Sequence, residues 1–166
     1  MLETMLPDAR AIAASRRQEV PRHCAAWEST QGRRSEHQCL AMAQAYASSG
    51  GIAGCDEMVG LLRCCFDQPI SVLARWLVGR AVICFEWRAT TMLPIFQFDI
   101  ADMTIRPRVS EVLRELRDTF DDREVALWFA QPNAWLDGRP PVDVLRTDPV
   151  SVLDTARTDR YIARGW

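Results

Sequence analysis

The chain has 166 residues, a length that suits one compact domain or two small ones with a real hydrophobic core. Apolar residues make up 48% and charged residues 25%, as in ordinary globular proteins, which excludes a collagen-like chain, wholesale disorder and a membrane protein. The 20 bases, all of them arginine, stand against 22 acids and give a net charge of −2, which excludes a strongly basic nucleic-acid coat.

Residues 1–54 carry the weakest structural signals. The first 17 residues contain Glu3 and Asp8 and lack the apolar segment of a secretory signal, so we expect a cytoplasmic protein without a membrane span. Helical patterns run from about Asp8 to Val20 and from Ser35 to the stop at Gly50-Gly51. We expect this segment to be a helical extension or to be partly mobile.

Cysteine and histidine residues raise the question of a metal site. In a reducing compartment the six cysteines are expected to be buried thiols; they are Cys24, Cys39, Cys55, Cys64, Cys65 and Cys84. Both histidines stand near a cysteine, as His23-Cys24 and His37-Gln38-Cys39, and both side chains are zinc ligands. Adjacent residues rarely hold one ion together, so we expect a packing or surface role and neither a metal nor a cofactor.

Residues 55–98 predict a helix-turn-helix-like unit with a β-hairpin. A helical apolar face begins at Met58 and ends before the helix-breaking Asp67-Gln68-Pro69. Ser71 is the predicted N-cap of a second helix over residues 72–78, which Gly79 closes in the manner of a C-terminal glycine.

Two strands are expected after this helix. Residues 81–87 are rich in β-branched and aromatic side chains, residues 88–91 form the turn, and residues 92–98 form the returning strand. Pro94 has no backbone N–H and indicates an edge strand. Helix, turn, helix and hairpin is the order of a small winged helix-turn-helix.

This order makes operator DNA one expected partner. The residues that would contact its phosphates are Ser71, Arg75, Arg80 and, at the hairpin tip, Arg88. Residues 55–110, however, hold six arginines and six acids, whereas a DNA-binding surface normally has an excess of bases. The electrostatic support for DNA binding is therefore weak.

The last segment, residues 99–166, is predicted to be helical. Pro107 precedes a helix whose apolar face consists of Val109, Val112, Leu113, Leu116 and Phe120. Asp121 and Glu124 form a capping box before an apolar helix over residues 125–130. A short helix over 142–145 and a final helix follow; Asp148 caps the final helix, which reaches about Ala163. The predicted fold class is mainly α with a small β-hairpin.

The loop over residues 131–141 has unusual chemistry. Gly138 can adopt positive φ, and Pro140-Pro141 stiffen the loop exit. Asn133 can hydrogen-bond locally and hold a turn. Trp135 and Leu136 are apolar, so they must fold back onto the core or meet a partner. The loop either fastens two helices or binds another protein, and both interpretations are open at this point.

Three stretches of the sequence resemble a known family. They are Leu127-Trp128-Phe129, the run Pro132-Asn133-Ala134-Trp135-Leu136-Asp137-Gly138-Arg139-Pro140-Pro141-Val142-Asp143-Val144-Leu145, and Asp148-Pro149 with the helix after it. Together they resemble the toxin-binding domain of Xre/MbcA/ParS-type antitoxins, and Leu93-Pro94-Ile95-Phe96-Gln97-Phe98-Asp99 resembles a strand that often precedes it. The resemblance covers roughly residues 92–165.

The resemblance implies a cytoplasmic antitoxin that binds a toxin of the RES type or an ADP-ribosyltransferase-like toxin. It places the C-terminal region at the entrance to the toxin's active site, where arginines could pair with anionic groups. The alternative is a solvated helix end whose arginines only interact favourably with the helix dipole. Asp143 is expected to order the loop, and Leu145 to join the core. The residues expected to bind the toxin are Trp128, Asn133, Trp135, Leu136, Gly138, Arg139, Pro140, Asp143, Arg157, Arg160, Tyr161, Arg164 and Trp166.

The sequence offers no catalytic constellation, so we expect a binding protein and not an enzyme. It contains no phosphate-binding loop, no G-x-S-x-G elbow and no H-E-x-x-H motif. Exposed apolar faces on short helices favour a homo-oligomer such as a dimer. The alternatives to an antitoxin are a stand-alone DNA-binding regulator and an adaptor for a protein other than a toxin.

Overall fold

The computed structural model describes residues 36–165; residues 1–35 and Trp166 lie outside the described part. The predicted helix from Asp8 to Val20, the pair His23-Cys24 and the expected toxin contact Trp166 therefore lie outside the described residues. Among residues 36–165, no helix is long and apolar enough to cross a membrane.

Helices dominate the described chain, and one small antiparallel sheet accompanies them, which confirms the predicted fold class. The helices are α1 (residues 36–47), α2 (Cys55–Leu62), α3 (Pro69–Val78), α4 (Pro107–Leu116), α5 (Asp122–Ala130), α6 (Pro141–Val144) and α7 (Pro149–Arg164). The strands are β1 (Ile52–Gly54), β2 (Phe85–Trp87) and β3 (Thr90–Pro94). Two short 3₁₀ helices cover Ile95–Gln97 and Ala134–Leu136.

The sheet differs from the predicted hairpin in its strand order, β1-β3-β2. The second predicted strand is central and not at an edge. Pro94 of β3 pairs with Ile52 of β1. The pairing between β2 and β3 does not reach Pro94, because its last pair in that direction is Phe85–Met92. No β2 residue therefore faces the N–H that proline lacks.

The turn of the hairpin is shorter than predicted. It consists of Arg88 and Ala89, whose φ angles are 50° and 60°. Positive φ at both positions matches the twist of two strands joined by a two-residue loop. The strand before it covers only Phe85–Trp87 and not the predicted residues 81–87.

Two predictions about α3 are wrong. The helix begins at Pro69 and not after Ser71, because proline has the fixed φ and the missing N–H that suit the first helical position. Gly79 ends α3 with φ of −78°, and the residue with left-handed φ is Arg80, at 47°.

The larger of two hydrophobic clusters draws residues from all three predicted segments. Tyr46 of α1 stacks on Phe96 with ring centroids 5.4 Å apart, and Phe96 packs against Phe129 of α5 at 5.3 Å. The Tyr46 hydroxyl donates to the Ala126 carbonyl at 2.6 Å, and burial raises the Tyr46 pKa above its usual range. The segments 1–54, 55–98 and 99–166 thus share a core where they are described, and their division into domains stays a prediction.

The smaller cluster joins α2 and α3 to β3. Met58, Leu62 and Leu73 are buried in it, and Trp76 stacks on Phe98 at 5.6 Å.

The prediction of buried cysteines is confirmed for Cys39 and wrong for Cys64 and Cys65. These two are exposed because they lie in the turn that follows α2. Cys55 and Cys84 are half-buried, and each described cysteine is a free thiol.

The Gln97 side chain makes hydrogen bonds to backbone groups that have no neighbouring strand, including those of the irregular residues before β2. Its side chain is fully buried; Oε1 accepts the Ile83 N–H at 2.6 Å, and Nε2 donates to the carbonyls of Ile83 and Pro94, both at 2.9 Å. One amide therefore satisfies three buried backbone groups where no β ladder forms.

We predict that Gln97→Leu lowers the free energy of unfolding by about 3 kcal/mol, because leucine fills similar space but leaves three buried backbone groups unpaired. Urea denaturation of the purified protein measures this loss. Gln131→Leu is the control, since Gln131 is exposed and its substitution should change stability by less than about 0.5 kcal/mol. Equal stabilities of the two variants would contradict the role given to Gln97.

Candidate functional site

The loop between α5 and α6, residues 131–140, is called the Trp135 loop here. Asn133 closes it through the backbone: its N–H donates to the Arg139 carbonyl at 3.2 Å. The Asn133 carbonyl accepts the N–H groups of Leu136 and Gly138 at 3.1 and 3.0 Å. The predicted local turn at Asn133 is thus present in the structure.

The Asn133 side chain connects the loop to α7. Its Oδ1 accepts the Trp135 N–H at 2.9 Å, which caps the 3₁₀ helix Ala134–Leu136. Its Nδ2 donates to Asp159 Oδ2 at 2.8 Å. The amide therefore uses both of its ends, one within the loop and one on the neighbouring helix.

Asp159 Oδ2 also accepts the Trp128 indole N–H, at 2.7 Å. One carboxylate oxygen thereby joins α5, the Trp135 loop and α7. No pattern in the sequence selects Asp159, because an acid in the interior of an amphipathic helix usually faces solvent. Only the fold brings the donors of Trp128 and Asn133 to it.

The neighbouring apolar residues Trp135 and Leu136, at the end of the 3₁₀ helix, have different surroundings. Asp137 and Gly138 have φ of 56° and 73°, so the positive φ predicted at Gly138 is present and a second one precedes it. Leu136 is buried in the larger cluster, whereas the Trp135 residue is 60% exposed. The expectation that apolar loop residues fold back onto the core is thus confirmed for Leu136, whereas contact between Trp135 and a partner stays a prediction.

One face of α7 packs on α4 through arginines. Arg157 Nε donates to Glu115 Oε1 at 3.2 Å, and Arg160 pairs with the other oxygen of Glu115. Arg164 Nε donates to Thr119 Oγ1 at 3.2 Å. These arginines bind the α4 region of their own chain, and a role for them in partner binding stays a prediction.

A neighbouring side of α7 carries the helix's contacts to the loop. Val152, Ala156 and Asp159 follow one another at helical spacing, and the first two are fully buried. Ile162 lies three residues further on the same side but is 60% exposed. Tyr161, beside it, is 63% exposed. The side of α7 that is buried at Val152 and Ala156 is therefore exposed to solvent at Ile162.

The remaining predicted loop residues differ in their surroundings. Arg139 is exposed, and Pro140 is half-buried at the N-cap position of α6. Leu145 joins the core as predicted. The expectation that Asp143 orders the loop is wrong: it is exposed, and within residues 36–165 its carboxylate makes no hydrogen bond or ion pair.

The four residues predicted to contact DNA fall into two groups. Ser71 and Arg75 are exposed on α3. Arg80 instead binds inward, with Nε 2.7 Å from Asp122 Oδ1 and its terminal nitrogens donating to the carbonyls of Arg117 and Phe120.

The fourth residue, Arg88, pairs with Glu36 at 2.6 Å and lies over the Trp87 ring, 5.6 Å from its centroid. Two of the four predicted DNA contacts are thus engaged by the protein itself.

A metal site finds no support in the part of the chain that the structure describes. Residues 36–165 contain no group of three His, Cys, Asp or Glu side chains that could hold a metal ion. His37 and Cys39 belong to this part, and their predicted partners His23 and Cys24 do not.

Comparison with known proteins identifies the segment that carries this site. Residues 115–164 match the family model described as the antitoxin Xre/MbcA/ParS C-terminal toxin-binding domain. A search of the curated proteins and a search of the solved structures gave no match. The matched segment includes Trp128, the whole Trp135 loop and Asp159. It confirms the resemblance there, whereas the resemblance of residues 92–114 stays a prediction.

The N-terminus of α7 supplies a test of how this segment responds to acid. Asp148 caps the helix, its Oδ1 accepting the Ser151 N–H at 3.1 Å and its Oδ2 accepting the Ser151 hydroxyl at 2.6 Å. The hydroxyl first, and then the backbone N–H, lower the pKa of Asp148 below its usual 3.8. The charged carboxylate therefore stabilises the fold above pH 3.8, and this contribution is lost as the pH falls through the lower folded-state pKa.

We predict that the stability difference between the wild type and Asp148→Asn is constant near neutral pH and shrinks in acid. Asparagine keeps an acceptor but has no charge to lose. Urea denaturation from neutral pH to about pH 2 measures the difference. Ser151→Ala, which removes the main cause of the pKa shift, should show an intermediate dependence. Parallel stability curves for the wild type and Asp148→Asn would contradict this prediction.

Proposed function

We propose that this chain is an antitoxin that binds and neutralises a cognate toxin through the Trp135 loop and the end of α7. The observation that carries the proposal is Trp135, an exposed tryptophan on a loop whose turn is held by internal hydrogen bonds. The loop lies inside the segment that matches a toxin-binding domain. Trp135 and Ile162 are called the docking face here.

The docking face has the chemistry of a protein-binding hot spot. Tryptophan is enriched among interface residues that dominate affinity, and its large ring loses little conformational freedom on binding. The 3₁₀ helix that presents Trp135 contacts α7, and Ile162 extends the inward side of α7. Large exposed apolar side chains on this segment favour a protein partner.

Charge also favours a protein over nucleic acid as the partner of this segment. Residues 111–166 hold eight arginines and eleven acids, and an acidic surface repels phosphates. The arginines at positions 157, 160 and 164 are already paired with the α4 region. The docking face therefore depends on apolar contact more than on long-range attraction.

The finer identity of the partner follows from the family resemblance. It implies a toxin of the RES type or an ADP-ribosyltransferase-like toxin, in the cytoplasm, neutralised by binding and without catalysis by this chain. Repression of its own promoter and dimerisation belong to the proposal as secondary functions. For DNA, the exposed Ser71 and Arg75 are the residues of the predicted set that remain available.

The test is co-expression with the adjacent open reading frame, since antitoxins of this kind usually lie beside their toxin. We expect the neighbour to stop growth alone, and this chain to restore growth and to co-purify with it. Trp135→Ala should weaken the complex by about 30-fold or more, as truncation of an aromatic hot spot does. Calorimetry or surface plasmon resonance measures the affinity.

Ile70→Ala is the matched control, because Ile70 is 67% exposed and lies on α3, outside the matched segment. It should leave the affinity unchanged. A neighbour that is harmless and does not bind removes the main support for an antitoxin. A salt-dependent shift of upstream DNA that Arg75→Ala abolishes, without toxin binding, would favour the stand-alone regulator.

A further inference from the structure

We infer that Asp159 is a positioning residue that holds the Trp135 loop in its binding conformation. The effect on partner binding rests on the proposed function; the effect on the loop does not. Asp159 would act through Asn133, without contacting the partner itself. No feature of the family signature in the sequence pointed to this residue.

The chemistry of the Asn133 amide makes the connection directional. Its Nδ2 end can only donate, and its Oδ1 end can only accept. Asp159 Oδ2 accepts from Nδ2, which leaves Oδ1 at the Trp135 N–H. A flipped amide would set two donors against each other at Trp135 and two acceptors at Asp159. The carboxylate thus fixes the orientation that caps the 3₁₀ helix.

The partners of Asp159 distinguish it from Glu115 and Asp154. Glu115 pairs with Arg157 and Arg160, and Asp154 pairs with Arg157. Asp159, among residues 36–165, makes no ion pair, although Arg160 is its neighbour in sequence. It receives N–H donors from Trp128 and Asn133 instead. The carboxylate of Asp159 therefore binds Trp128 and the Trp135 loop and takes no part in the ion pairs of Arg157 and Arg160.

The two donors to Asp159 come from α5 and from the Trp135 loop that follows it. Trp128 lies on α5, just before the loop begins, and its ring packs edge-on against Phe129 with centroids 5.0 Å apart. Asn133 lies inside the loop. Because both donate to one oxygen, the loop cannot move relative to α5 without breaking one of these hydrogen bonds. Removal of the carboxylate should release the loop while the apolar core stays packed.

Three variants of the full chain test the inference. Asp159→Ala removes the acceptor, and Asp159→Asn keeps an oxygen that can accept from both donors. Asp154→Ala is the matched control, an aspartate on the same helix whose partner is Arg157. Hydrogen–deuterium exchange, read at the amides of Trp135, Leu136 and Gly138, reports the loop without any partner.

We expect exchange at these amides to accelerate about tenfold or more in Asp159→Ala, as loss of a charged hydrogen bond implies. Asp159→Asn and Asp154→Ala should exchange like the wild type, and amides of the α4 core should stay protected in all variants. Unchanged loop exchange in Asp159→Ala overturns the inference, whether or not a toxin binds. Equal acceleration in loop and core overturns it too, because Asp159 would then only support global stability.

Affinity for the product of the adjacent reading frame gives the second readout. Asp159→Ala should weaken binding about tenfold, and Asp159→Asn should restore it. In a Trp135→Ala background, Asp159→Ala should cost no further affinity, since the residue acts through Trp135. Additive losses overturn the positioning role. If the wild type does not bind, the proposed function fails and the exchange experiment still decides what Asp159 does to the loop.

Discussion

Asn133 is the residue on which the geometry of the candidate site depends, because each of its polar groups makes a hydrogen bond. Its backbone N–H and carbonyl close the Trp135 loop on itself. Its side chain joins the Trp135 N–H to Asp159 of α7. These bonds fix the backbone that places Leu136 inside the core and Trp135 at the surface. The exposed tryptophan is a consequence of polar bonding beneath it.

The same logic fixes the rotation of α7 about its own axis. On one side Arg157 and Arg160 share Glu115, and on a neighbouring side Asp159 receives the donors of Trp128 and Asn133. Turning the helix by one residue position would unpair both carboxylates at once. Burial of Val152 and Ala156 holds α7 against the core. The contacts of Glu115 and Asp159 fix the rotation of α7 about its axis. The position of Ile162 follows from that rotation.

Local signals in the sequence predicted much of the fold and less of the site. The structure confirms the Asp121–Glu124 capping box and the cap at Asp148 before Pro149, because caps act over three residues. Helix α5 nevertheless begins at Asp122 and not at the predicted residue 125. Strand β1 has only three residues, too few for any period to show. Asp159 was not predictable, since its role comes from donors 26 and 31 residues away. The positive φ at Gly138 was predictable because it is a property of one residue.

In the proposed complex, the internal hydrogen bonds of the Trp135 loop change how the docking face gains affinity. An unrestrained loop would lose conformational freedom on binding, and that loss would subtract from the contact energy of Trp135. Here the loss occurs on folding, and the core that contains Leu136 and Phe129 compensates it. The arginines of α7 are engaged by Glu115 and Thr119, so they add little attraction for a partner. In the proposed complex, affinity at this surface therefore depends on how well a partner's apolar pocket fits the fixed ring of Trp135.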